Sequence, residues 1–156
     1  MSTEERKVLS LDLANQIIGA ALAEGRRLGL GRLTVAVLDA GGHLIALQRE
    51  DGSEYLRPNI AIGKAWGALG MGHAGRVLAE RAQKNPVFFG ALSDMSAGRM
   101  VPLAGGVIVR DPAGMILGAV GVSGDTSEQD ELAAVSGIAA AGLEPDTGQR
   151  PEWRRP

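Results

Sequence analysis

The chain has 156 residues, is 45% hydrophobic, and carries a formal net charge of −2 with a pI near 5.7. That length fits one domain with a substantial core rather than two domains. The mildly acidic balance and only 3% aromatics exclude the basic patch and the base-stacking platform of a nucleic-acid surface.

Cysteine is absent, which excludes disulfides, thiolate metal sites, iron–sulfur clusters and a cysteine nucleophile. The N-terminus lacks the apolar core of a signal peptide, and Arg110 and Asp111 interrupt the most apolar later stretch. A cytoplasmic protein without membrane segments is therefore expected. Glycine, at 23 residues, is the compositional outlier. Residues without side chains let backbones approach each other or a ligand closely.

In chain order, residues 10–29 predict an amphipathic helix with Leu13, Ala14, Ile17, Ile18, Ala21 and Leu28 on one face. Ser10 is placed to cap its start, and Gly29 follows Arg26 and Arg27 as its stop. Residues 33–38 and 43–48 are β-type runs around the turn Asp39-Ala-Gly-Gly42, which predicts an antiparallel hairpin. A second hairpin is expected from residues 107–110 and 115–122 around Asp111-Pro-Ala-Gly114. The two match at a constant offset of 72: Val35, Val37, Asp39, Gly42 and Leu44 correspond to Val107, Val109, Asp111, Gly114 and Ile116. The Asp caps the turn's backbone, and the Gly accepts a positive φ.

Between the hairpins, Pro58 opens a helical stretch over 59–71. A second helical pattern follows over 74–84, with Val77, Leu78 and Ala82 inward and a Glu80–Lys84 pair outside. Residues 87–102 read as a short helix and then a strand near 98–101. The last helix is expected from Ser127 to Ala141, with Leu132, Val135 and Ala139 buried and Gly142 and Pro145 as stops. The domain thus spans 8–143, with 1–7 and 145–156 as flexible termini. Two hairpins exclude an all-parallel sheet and predict an antiparallel sheet packed by helices.

Several of these residues also carry a resemblance. The stretch Val35-Ala-Val-Leu-Asp-Ala-Gly-Gly-His-Leu44, then 49–52, Lys64-Ala65, 103–106, 118–124 and 129–131, is similar in order and spacing to the GlcG/HbpS haem-degrading domain family. The resemblance covers residues 8–143. It implies a profilin-like α+β fold, three layers α/β/α with a five-stranded antiparallel sheet. It also implies homo-oligomers, and haem or a related tetrapyrrole as ligand, with a degrading, storage or sensing role. Trp66-Gly67, Ile108 and Arg57-Pro58-Asn59 depart from the family's usual residues.

Haem iron takes an axial His, Met, Cys or Tyr. Without cysteine the candidates are His43, in the first hairpin turn, His73 and Met71, in the Gly-rich break after residue 70, and the single tyrosine, Tyr55, which also reads as a lid over the core. Each has a plain alternative as an exposed or packing residue. Lys64, in an Ala-rich stretch, is a candidate base, amine nucleophile or anion partner if buried, and otherwise a side chain that reaches water. The resemblance points at it too.

Asp125, Glu128 and Asp130 crowd the start of the last helix. They complement its dipole, with Ser127 and Asp130 as a capping-box variant, or form an oxygen-rich cation site. An enzyme doing acid–base chemistry on a small polar substrate would draw on Lys64 with His73, Asp125 or Glu128. A ligand-free accessory oligomer is the third reading. Ser123 lacks the second glycine of a nucleophile elbow. Gly70-Met-Gly72-His-Ala-Gly75 matches a dinucleotide fingerprint by letters, but no β-rich run precedes it, and close packing is the simpler reading.

Overall fold

The computed structural model describes residues 8–149. Ten elements follow in order: α1 (Leu11–Arg27), β1 (Thr34–Asp39), β2 (Leu44–Arg49), α2 (Arg57–Met71), α3 (Gly75–Lys84), α4 (Pro86–Met95), β3 (Gly106–Arg110), β4 (Ile116–Ser123), α5 (Ser127–Ala140) and β5 (Glu144–Asp146). The strands form one antiparallel sheet in the order β2-β1-β4-β3-β5. This is the expected α+β architecture, and α1 with α5 covers one face while α2 covers the other.

Strand alternation sorts the core. Val35, Val37, Val107, Val109, Val120 and Val122 point toward α1 and α5, with Ile17, Ile18 and Ile138 above them. Leu38 and Ala119 point the other way, against Ala65 of α2. The two hairpins repeat each other as the sequence predicts. Asp39 and Asp111 each accept a turn amide on Oδ1, and Gly42 and Gly114 have φ of 82° and 91°. Each pair of strands also shifts register at its turn end, at Val37/Leu38 and Val109/Arg110.

Glycine explains how closely α2 lies on the sheet. Gly106 of β3 pairs with Gly121 of β4, directly beneath the helix. A Cβ on Gly121 would stand 1.8 Å from the Ala61 carbonyl, and one on Gly106 would stand 2.4 Å from the Lys64 carbonyl. On the opposite face, a Cβ on Gly137 of α5 would reach 2.5 Å from the Ile17 carbonyl of α1.

That close approach corrects the expected face of α5. Ala133, Ala134, Gly137 and Ile138 are buried, Leu132 is 49% exposed and Ala139 is exposed, because small residues set the α1–α5 contact. Leu28, expected on the buried face of α1, is also exposed. No strand forms at 98–101; the Val101 amide instead donates to the Gly63 carbonyl of α2. The fifth strand is β5, so Pro145 and Asp146, expected in a tail, pair with β3. Residues 1–7 and 150–156 of the expected termini lie outside the described residues. Thr126, not Ser127, caps α5 by accepting the Gln129 amide.

One ion pair joins the layers. Lys64 of α2 donates to Asp130 Oδ2 of α5 at 3.0 Å and to the Val122 carbonyl of β4 at 2.9 Å. Both side chains are almost wholly buried. Gly105, at φ 107°, makes the passage: a Cβ there would lie 2.9 Å from Lys64 Nζ and 3.2 Å from Asp130 Cβ.

Two outcomes follow for equilibrium unfolding in urea. Lys64→Ala strands a buried carboxylate and is expected to cost about 3–5 kcal/mol, most of it regained in Lys64→Met/Asp130→Leu. Gly121→Ala forces α2 off the sheet and is expected to cost about 1–3 kcal/mol or more. A midpoint near the parent's for either single variant would contradict this account.

Candidate functional site

Both hairpin turns lie at the same end of the sheet, because β1 and β4 are antiparallel neighbours with Asp39 opposite Gly118. They flank a groove of about 590 Å³ lined by Val8, Leu9, Asp39, Gly41, His43 and Met115, with Ile116 and Leu117 at its wall. Its surfaces are mostly apolar, and Val8 and Met115 stand well exposed in it.

His43 and Asp39 are the polar side chains of this groove among the residues that line it. The His43 side chain is 80% exposed, and its Nδ1 lies 3.1 Å from Asp39 Oδ1. The same oxygen accepts the amides of Gly41 and His43 at 2.9 Å. The His43 amide is the largest cause holding the Asp39 carboxyl below its ordinary pKa; burial, next in size, opposes it, and the Gly41 amide and His43 ring add to the lowering. An ionised Asp39 only accepts, so the Nδ1 that faces it is the ring's donor, and Nε2 is the nitrogen left for another partner. Gly41 makes room for the ring, since a Cβ there would sit 2.9 Å from His43 Cε1. This is the carboxylate–histidine arrangement that orients imidazole ligands toward metals.

Met115 was not among the residues picked from sequence. The signal was present in the 72-residue offset, which carries His43 onto Met115. The repeated turn therefore sets an imidazole and a thioether on neighbouring hairpins of one groove.

The other candidates lie elsewhere. His73 is half-buried just past the left-handed Gly72 that ends α2, and its amide donates back to the Ala68 carbonyl. Met71 packs against the cluster of Leu78, Phe89 and Met100. Tyr55 is 82% exposed and covers no core, which corrects its reading as a lid. The glycine pattern at 70–75 joins two helices, and Gly75 is fixed by packing, with a Cβ there 1.9 Å from the Leu103 carbonyl.

Lys64 meets Asp130 rather than the partners expected from sequence. Asp125 accepts the amides of Gly31 and Thr126, and Glu128 is exposed and acts on Lys64 only through its charge. Burial pushes the Lys64 ammonium down from its ordinary pKa, and Asp130 opposes the shift. The same burial pushes Asp130 up against the pull of Lys64. Around the pair, Arg57 donates to Ser123 Oγ at 3.2 Å, and Arg76 forms a two-pronged pair with Glu131. These hydrogen bonds join α2, α3, β4 and α5, so the charges hold elements together. Among the described residues, no group of three or more His, Asp or Glu is placed to hold a metal ion, and no helix is long and apolar enough to cross a membrane.

Comparison with known proteins agrees with this architecture. The family described as haem degrading protein HbpS-like matches residues 9–139. The corrinoid adenosyltransferase PduO of Citrobacter freundii is 30% identical over 85% of this chain, and the match spans 38% of PduO's own length. An uncharacterised 15.0 kDa protein from the same organism's dhaT–dhaS intergenic region is 32% identical over 66% of this chain and 71% of its own. Among solved structures, a PduOC–haem complex superposes with a TM-score of 0.80 at 27% identity, covering 90% of this chain and 99% of that one. HbpS does so with a TM-score of 0.75 at 27% identity, over 89% and 95%. With the family match spanning residues 9–139, the chain belongs to the HbpS-like haem-degrading family.

Proposed function

We propose that the chain binds haem or a related tetrapyrrole in the groove between the two hairpin turns, where His43 and Met115 are the residues that would hold its iron. The observation that carries this reading is His43 itself: exposed in an apolar groove, with its other ring nitrogen held by an ionised carboxylate. His and Met are both established axial ligands of haem iron. The apolar walls suit a flat macrocycle. The haem complex of the PduOC neighbour supports the ligand class. Bound haem supplies the iron and its redox chemistry. The Asp39 carboxylate orients the imidazole, and the apolar lining of the groove would pack against the ring system. A role in storing, sensing or degrading haem is compatible with an open groove. The buried Lys64–Asp130 pair takes no part in this reading.

Titration of the purified protein with haem, followed at the Soret band, is expected to saturate at one haem per chain. His43→Ala should abolish that band or shift it to a weaker, altered form, and Met115→Leu should change its position, while His73→Ala leaves it unchanged. Loss of binding in His73→Ala with retention in His43→Ala would place the ligand elsewhere. Asp39→Asn, which removes the carboxylate that orients the ring, is expected to lower affinity about 10–100-fold.

The turn itself gives a pH test. A carboxyl whose folded pKa is depressed contributes stability above its unfolded pKa and loses it as pH falls through the folded value. The Gly41 and His43 amide NMR signals should therefore hold through the ordinary aspartate range and move only at lower pH. Movement at the ordinary aspartate value would show that Asp39 does not hold the turn.

A further inference from the structure

A second pocket, of about 250 Å³, lies where α3 hands over to α4, and it is lined by Met71, Arg81, Lys84, Asn85, Phe88 and Phe89. Its floor is apolar and shaped. Phe88 and Phe89 meet edge to face, with centroids 5.8 Å apart and planes at 89°. Phe89 is anchored in the core at 8% exposure while Phe88 remains 47% exposed. The two rings form a right-angled corner, with the Met71 thioether as a deformable wall.

The rim is cationic, with no acidic partner among the described residues. The Glu80–Lys84 pair expected from the i,i+4 spacing does not form, and the charge of Glu80 acts on Arg76 instead. Arg81 and Lys84 make no ion pair with any described residue. The helix dipole accounts for basic residues in the last turn of α3. It does not account for an aromatic corner left open beside them. Small-molecule sites combine apolar walls with a few placed polar groups, and this pocket falls just below the usual range of about 300–1,000 Å³, which limits it to a small ligand.

We infer that this pocket is a binding site for a small aromatic anion, with its ring against Phe88 and Phe89 and its carboxylate or sulfonate between Arg81 and Lys84. The site is separate from the His43 groove and does not depend on the haem reading. Two cations without acidic partners among the described residues favour an anionic head, and the aromatic corner favours a flat body over a flexible chain.

The test is fluorescence titration of the whole chain with 1-anilinonaphthalene-8-sulfonate and with N-phenyl-1-naphthylamine, which keeps a similar ring system without the sulfonate. The sulfonate is expected to bind saturably, one per chain, to weaken with added salt, and to be displaced by 2-naphthoate. Arg81→Glu/Lys84→Glu should weaken it about tenfold or more. Phe88→Ala, at a part-exposed position, should do so with no loss of fold by circular dichroism, and His43→Ala should leave binding intact. Equal affinity for the neutral probe, unchanged binding in the charge-reversed variant, or loss of binding in His43→Ala would overturn the assignment. So would sulfonate binding that falls as protein concentration rises, which would make the pocket an interface between copies of the chain.

Discussion

The arrangement of the two helical layers depends on one buried contact. Lys64 leaves α2 on one face of the sheet, passes the end of β3 at Gly105, and reaches Asp130 at the start of α5 on the other face. Two buried charges are costly unless each is paired and its remaining hydrogen-bond capacity is used. Here the Val122 carbonyl takes a second Lys64 proton, and the Asp125 amide donates to Asp130's other oxygen. That contact sets where β4 ends and α5 begins, and therefore how α1 and α5 lie over the valines. The composition fits this demand. Glycine stands at the passage, beneath α2 and between α1 and α5, where any Cβ would meet backbone or the ion pair itself.

The repeated hairpin shows one local solution used for two purposes. Asp39 and Asp111 both tie a turn by accepting amides, and a left-handed glycine follows each. At the residue that follows each glycine, one turn carries His43 and the other Met115. Because β1 and β4 are antiparallel neighbours, both turns come to the same end of the sheet. A feature that reads as turn chemistry in either hairpin brings an imidazole and a thioether to one groove when the sheet closes. Asp39 then has two tasks, holding the turn and orienting the imidazole.

The α4 segment follows a different logic. α4 reads as apolar but buries only Phe89 fully, leaving Val87 at 84% and Met95 at 76% exposure. It lies outside the valine core and touches mainly α3. Apolar surface left outside the core, beside the cationic Arg81 and Lys84, is the kind of surface that ligands or partners use.

Periodicity and turn residues were sufficient to establish helices α1 to α3 and α5, both hairpins and the antiparallel class of the sheet. These depend on interactions within a few residues: the Ser10 cap, the Asp turns, and proline at the start of α2. The sequence also nominated His43 and Lys64 as chemical residues. It did not show that Lys64 is spent on Asp130, that Leu132 faces out while Gly137 faces in, or that residues 144–146 rather than 98–101 supply the fifth strand. Those outcomes are decided by close approach between elements distant in the chain. Which residue is buried depends there on how near two backbones can come, a distance that no local pattern encodes. Met115 lies between these cases: its equivalence to His43 is written in the sequence, but its place beside His43 exists only in the folded sheet.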